Sequence, residues 1–113
     1  MRQLPEKTFT ATIYVGFKPG YDGIEFPWSV GEKICQEYVD SIGLCVTLTP
    51  ARFIYKLGSE NGMAVGLINY PRFPCHPIAI RRRALELAEL LMKAYNQLRV
   101  SVVFPDETIT LEE

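Results

Sequence analysis

The chain contains a single histidine, His76, with no serine or aspartate placed near it in a recognisable nucleophilic motif. Its three cysteines, Cys35, Cys45 and Cys75, are an odd number and form no close CxxC pair. That speaks against a disulfide framework and for a reducing, cytoplasmic setting. Neither GxGxxG nor GxxxxGK followed by Ser or Thr occurs. The stretch Lys18-Pro19-Gly20-Tyr21-Asp22-Gly23 contains glycine ahead of a helix but has neither spacing, so no phosphate cradle is expected. Charge of one sign is also lacking. The net charge is −1, which excludes a nucleic-acid or membrane-surface role driven by bulk charge. No apolar run is long enough for a transmembrane helix, the polar N-terminus does not read as a signal peptide, and no repeat or low-complexity segment occurs. What remains is 113 residues, 48% of them hydrophobic, which suits one domain spanning residues 1–113.

The most informative stretch runs from Ser29 to Tyr70. Ser29 and Glu32 have the spacing of a capping box, in which hydroxyl and carboxylate satisfy the first amides of a helix. Val30, Ile34, Tyr38, Val39 and Ile42 recur at helical spacing, and Gly43 suits a left-handed C-terminal residue. The period then becomes two. Leu44, Val46 and Leu48 share one face, but after Pro50 the apolar set is Phe53, Tyr55 and Leu57, which predicts a bulge or an edge kink at the proline. A turn over residues 58–62 and a return strand with Met63, Val65 and Leu67 complete a hairpin.

On either side, Phe9, Ala11, Ile13, Val15 and Phe17 alternate as a first strand. Ile78 to Leu98 reads as a long helix with Ala84, Leu87, Ala88, Leu91, Tyr95 and Leu98 inward. Val100, Val102 and Phe104 make a fourth strand, and Ile109 and Leu111 a short terminal one. The order predicts an α+β, ferredoxin-like βαββαβ sandwich: a four-stranded antiparallel sheet, two helices on one face, and a short extra strand. The uncovered face carries Thr10, Thr12, Tyr14, Cys45 and Thr47. Its shortage of charge suits burial in an oligomer.

Glu32-Lys33-Ile34, the run from Gly43 to Pro50, Ile54-Tyr55 and Gly58 resemble the CutA divalent-ion-tolerance proteins, which are relatives by fold of the PII signalling proteins. The resemblance covers residues 29–58. It implies a ferredoxin-like protomer in a homotrimer with sheets facing inward, and a non-catalytic protein that binds a small ligand or ion. The family's His-Pro-Tyr-x-Val-Pro segment is replaced here by Leu98-Arg99-Val100-Ser101-Val102, and the long nucleotide loop of PII has no counterpart.

Candidate site residues lie in three places. The Lys18–Pro27 connection is longer than the roughly four to six residues usual between elements, and with Tyr21, Phe26 and Trp28 it is aromatic, either pinning the loop to the core or lining a pocket. Arg81, Arg82 and Arg83 crowd the already electropositive start of a helix. They require either solvent and Glu86 or an anion, with Arg72 joining them. Together, Lys18, Tyr21, Trp28, Arg72, Arg81, Arg82 and Arg83 form a candidate cleft for a small anionic ligand. Cys75 and His76 are the candidate metal ligands, set against an ordinary loop histidine and half-buried thiol. No catalytic residue and no cofactor is indicated, and no nucleic-acid or membrane partner is expected. A structural or adaptor protein of phage or mobile-element origin, engaging a partner through its two long loops, is the alternative.

Overall fold

Alternation of Ala11, Ile13 and Val15 with Thr10, Thr12 and Tyr14 makes β1 (Thr10–Gly16) a strand with one buried face, and it takes the middle of the sheet. The computed structural model describes residues 1–20, 23–70 and 75–113. After β1 come α1 (Trp28–Ile42), β2 (Val46–Tyr55), β3 (Gly58–Ile68), α2 (Pro77–Ala94), β4 (Arg99–Val103) and β5 (Thr108–Glu112), in βαββαββ order. The sheet has five strands in the order β2-β3-β1-β4-β5, all neighbours antiparallel. The expected four-stranded sheet therefore gains its terminal strand as a full member. β5 pairs with β4 from Arg99↔Glu112 to Val103↔Thr108.

The helices pack against the face formed by Ala11, Ile13, Val15, Met63, Val65, Leu67, Val100 and Val102, all buried. From α2, Ala84, Leu87, Ala88, Leu91 and Met92 close over it, as their spacing predicts. The helix ends at Ala94 rather than Leu98. Asn96 adopts a left-handed conformation, so Leu98 falls beyond the helix and is 66% exposed. On α1 the innermost residues are Gly31, Cys35 and Tyr38; Tyr38 belongs to the expected stripe, while Gly31 and Cys35 lie one position round from Val30 and Ile34. Val30 and Ile34 pack only partly, and Ile42 is exposed.

Two local expectations fail for non-local reasons. Ser29 makes no capping bond, because the helix starts at Trp28 with Pro27 as its N-cap. The amide of Gly31 donates instead to the hydroxyl of Tyr95, 2.7 Å away, at the far end of α2. Nor is there a bulge at Pro50. β2 and β3 pair without interruption from Val46↔Leu67 to Tyr55↔Gly58, and Pro50 lies opposite Met63 on the edge strand. The apolar pattern changes sides because the covering layer runs out. Ile54, on the helix side, is 82% exposed, whereas Phe53 turns to the open face and meets Tyr14 edge to face at 6.4 Å. The expected left-handed glycine after α1 is present: Gly43 has φ 82° and its amide returns to the carbonyl of Val39 at 2.8 Å.

Candidate functional site

Where β1 ends, the chain lies beside the turn end of the β2–β3 hairpin and the turn between α2 and β4. A cleft of about 200 Å³ opens there, lined by Lys18, Gly20, Glu60, Gln97, Leu98 and Arg99. Glu60 stands on the open face of β3, opposite Phe53 and in line with Gly62, Ala64 and Gly66. Its carboxylate lies directly over Gly16, where a Cβ would sit 2.5 Å from Oε2. A side chain at residue 16 would push that carboxylate aside. The backbone N–H of Lys18 donates to Glu60 Oε2 at 2.9 Å and holds it in place.

The Lys18 loop is fastened at both ends. The Lys18 ammonium donates to the carbonyl of Ser59 at 3.2 Å, and Gln97 Nε2 donates to the carbonyl of Lys18 at 2.8 Å. Further on, Glu25 accepts from the backbone and side-chain N–H groups of Asn61, at 2.7 and 2.9 Å. Those donors hold the Glu25 carboxyl below its usual range. Arg52 completes the clamp by donating to Asn61 Oδ1 and Ser59 Oγ. The described aromatic side chains of this segment pack inward. Phe17 stacks on Tyr95 at 4.6 Å, Trp28 meets Phe17 edge to face, and Phe26 lies against Tyr95.

The result is a cleft with one fixed carboxylate and two cations, next to an open sheet face that carries Tyr14 and Phe53, the Phe53 ring lying over Gly62. Arg99 is also paired with Glu112 across β4 and β5. Such a place suits a ligand with a flat ring at one end and mixed charges at the other.

The other residues singled out in the sequence are dispersed. Lys18 lines the cleft, while Tyr21 and Arg72 lie outside the described residues. Trp28 opens α1 and packs on Phe17. Arg81 pairs with Asp106 and Glu107, at 2.8 and 2.9 Å, and its guanidinium lies 4.3 Å from the centre of the Phe104 ring. Arg83 pairs with Glu86, whose carboxyl is lowered first by the Tyr38 hydroxyl, and Arg82 is exposed. None of these three arginines lines the cleft. Arg81 sits over Phe9, at the start of β1, and Lys18 follows its end, so a strand of roughly 20 Å separates them. His76 caps α2, its Nδ1 accepting from the amide of Ile78 at 3.1 Å, and the amide of Cys75 donates to Asn69 Oδ1 at 2.8 Å. Among the described residues, no three His, Cys, Asp or Glu side chains gather as a metal site would require. Cys35 is buried, which pushes its thiol up to about 11 and makes it a poor nucleophile.

Glu60 and Gln97 are the residues that sequence reasoning passed over. The signal that would have found Glu60 is the run Gly62, Ala64, Gly66 on one face of a strand, since small residues there leave room for neighbouring side chains to lie across the sheet, as Phe53 does over Gly62 and Thr47 over Gly66.

No family model matches the chain, and no curated protein matches it. Solved structures do. The fold is similar to that of a phage SAM lyase. Two structures of such a lyase, one in the apo state and one in complex with S-methyl-5'-thioadenosine, each align with a TM-score of 0.81 over 100% of this chain and 95% of theirs, at 16% sequence identity. At that identity the likeness is one of fold. It still overturns the expected kinship with CutA and PII proteins, because the whole chain follows a different protein. The expectation of a non-catalytic ligand-binding or adaptor protein falls with it, since the full-length fold match is to an enzyme. The physical reason is plain. A helix-ending glycine, an alternating strand and a turn glycine are what any helix–strand–hairpin unit needs, so residues 29–58 report the unit and not its family.

Proposed function

We propose that this chain is a lyase that releases S-methyl-5'-thioadenosine from S-adenosylmethionine in the Glu60 cleft. The observation that carries this reading is a carboxylate pinned over Gly16 on an open, aromatic-bordered sheet face, in a chain whose entire fold follows that of a phage SAM lyase. The ligand's adenine would lie against Tyr14 and Phe53, and Glu60 would take its α-ammonium group. A carboxylate beside the sulfonium would stabilise the charge that the reaction extinguishes, so the ammonium is the better partner for catalysis. With the arm so held, its own carboxylate attacks the carbon attached to sulfur. A C–O bond forms, the C–S bond breaks with both electrons going to sulfur, and a neutral thioether leaves beside a lactone. This route needs no water and no protein base.

The strand order β2-β3-β1-β4, with β5 added beside β4, supports reading the protomer as ferredoxin-like. A cleft of 200 Å³ is small beside the roughly 300–1,000 Å³ of ligand pockets, so the charge-poor open face is read as an oligomer interface that completes the site. Three free thiols suit a cytoplasmic protein. Light scattering after size exclusion should give a mass of at least twice the 12.8 kDa of one chain. A monomer at high concentration would remove the interface. The deciding experiment for the activity is incubation of the purified chain with S-adenosylmethionine, followed by chromatography. Accumulation of S-methyl-5'-thioadenosine well above the spontaneous rate is expected, and its absence at stoichiometric protein would overturn the reading.

A further inference from the structure

We infer that Gln97 is a positioning residue that sets the Glu60 carboxylate through the backbone of Lys18. The inference rests on the lyase reading for its catalytic consequence, and on three hydrogen bonds for its geometry. Gln97 Nε2 donates to the Lys18 carbonyl at 2.8 Å and lies 3.3 Å from the Tyr95 carbonyl, so the one amide nitrogen ties the loop to the end of α2. The N–H of the same Lys18 donates to Glu60 Oε2 at 2.9 Å. Lys18 is thus held on its carbonyl side by Gln97 and offers its amide side to Glu60. The backbone of Gln97 is fixed in turn, its N–H donating to the carbonyl of Met92 at 2.9 Å, with Asn96 turning the chain in the left-handed region.

Glutamine suits this place because its amide supplies two hydrogens at the end of a side chain long enough to reach over from the helix terminus. Glutamate or methionine would leave the part-buried Lys18 carbonyl without its donor. The chain on either side would stay put. Phe17 N–H bonds the Asn61 carbonyl at 2.9 Å, and Glu25 clamps Asn61 further on. Loss of Gln97 would therefore release Lys18 and Glu60 and leave the sheet intact.

The test uses Gln97→Met, Glu60→Asp and the double variant, each against wild type. For S-adenosylmethionine cleavage, Gln97→Met should lower kcat about tenfold or more, leave KM within about threefold, and add little to the loss in Glu60→Asp, because residues acting as one unit are not additive. Amide hydrogen exchange at Lys18 should rise about tenfold in Gln97→Met, with protection across β1 and β3 unchanged. Wild-type turnover in Gln97→Met, losses that multiply in the double variant, or loosening of the whole sheet would each overturn the inference. If wild type releases no S-methyl-5'-thioadenosine, the lyase reading fails. The exchange measurement then still decides the positioning, since unaltered exchange at Lys18 would refute it.

Discussion

Replacing Tyr95 with phenylalanine should lower the melting temperature by about 10 °C, a large effect for one oxygen atom. Tyr95 is fully buried, and its hydroxyl accepts from the amide of Gly31 at 2.7 Å while the Pro27 carbonyl lies 3.0 Å away as its own acceptor. It is the cap of α1, supplied from the end of α2. Phenylalanine keeps the stacking on Phe17 but leaves a helix N–H buried without a partner, at a cost of about 2 kcal/mol. In a domain of this size each kcal/mol moves the melting temperature by about 4–6 °C. Thermal unfolding followed by circular dichroism reads the result directly. A shift of less than about 3 °C would mean that water or Ser29 takes over the cap.

Glu60→Gln should reduce release of S-methyl-5'-thioadenosine by on the order of a hundredfold while leaving thermal stability nearly unchanged. The amide keeps an oxygen able to accept from the N–H of Lys18, so the local frame survives and only the charge is lost. A buried pair between a carboxylate and an ammonium group is worth about 3 kcal/mol or more when one partner is removed, which is about two powers of ten in rate. The measurement is kcat/KM for cleavage beside a melting curve of the same preparation. Activity within about threefold of wild type would take Glu60 out of the site and leave the cleft without its organising charge.

These two residues also mark where sequence reasoning reached and where it stopped. The strand alternation of β1, the inward stripe of α2 and the left-handed glycine after α1 were all legible, because each is decided within a few residues. Tyr95 was legible only as a core residue. Its role as a cap joins positions 64 residues apart, and it displaced the local capping signature of Ser29 and Glu32. The arginine cluster was legible in part, since Glu86 does pair with Arg83 as its spacing allowed, but the partners of Arg81 were not. Arg81 is answered by Asp106 and Glu107, brought alongside by the β4–β5 turn, so an apparent want of counter-charge was met from within the chain. Glu60 read as a turn residue, and only the register of β3 against β1 reveals that it overhangs a glycine. The site is a product of pairing between distant strands, and a linear motif had no means to encode it.

Pro50, in the middle of the outermost strand, has a consequence for how copies of this chain can associate. Lacking an N–H, it interrupts the row of donors along which another strand would zip, so growth of an endless cross-strand fibre from β2 is blocked at its centre. β2 is therefore a poor template for pairing with the strand of another copy, although it stands at an edge of the sheet.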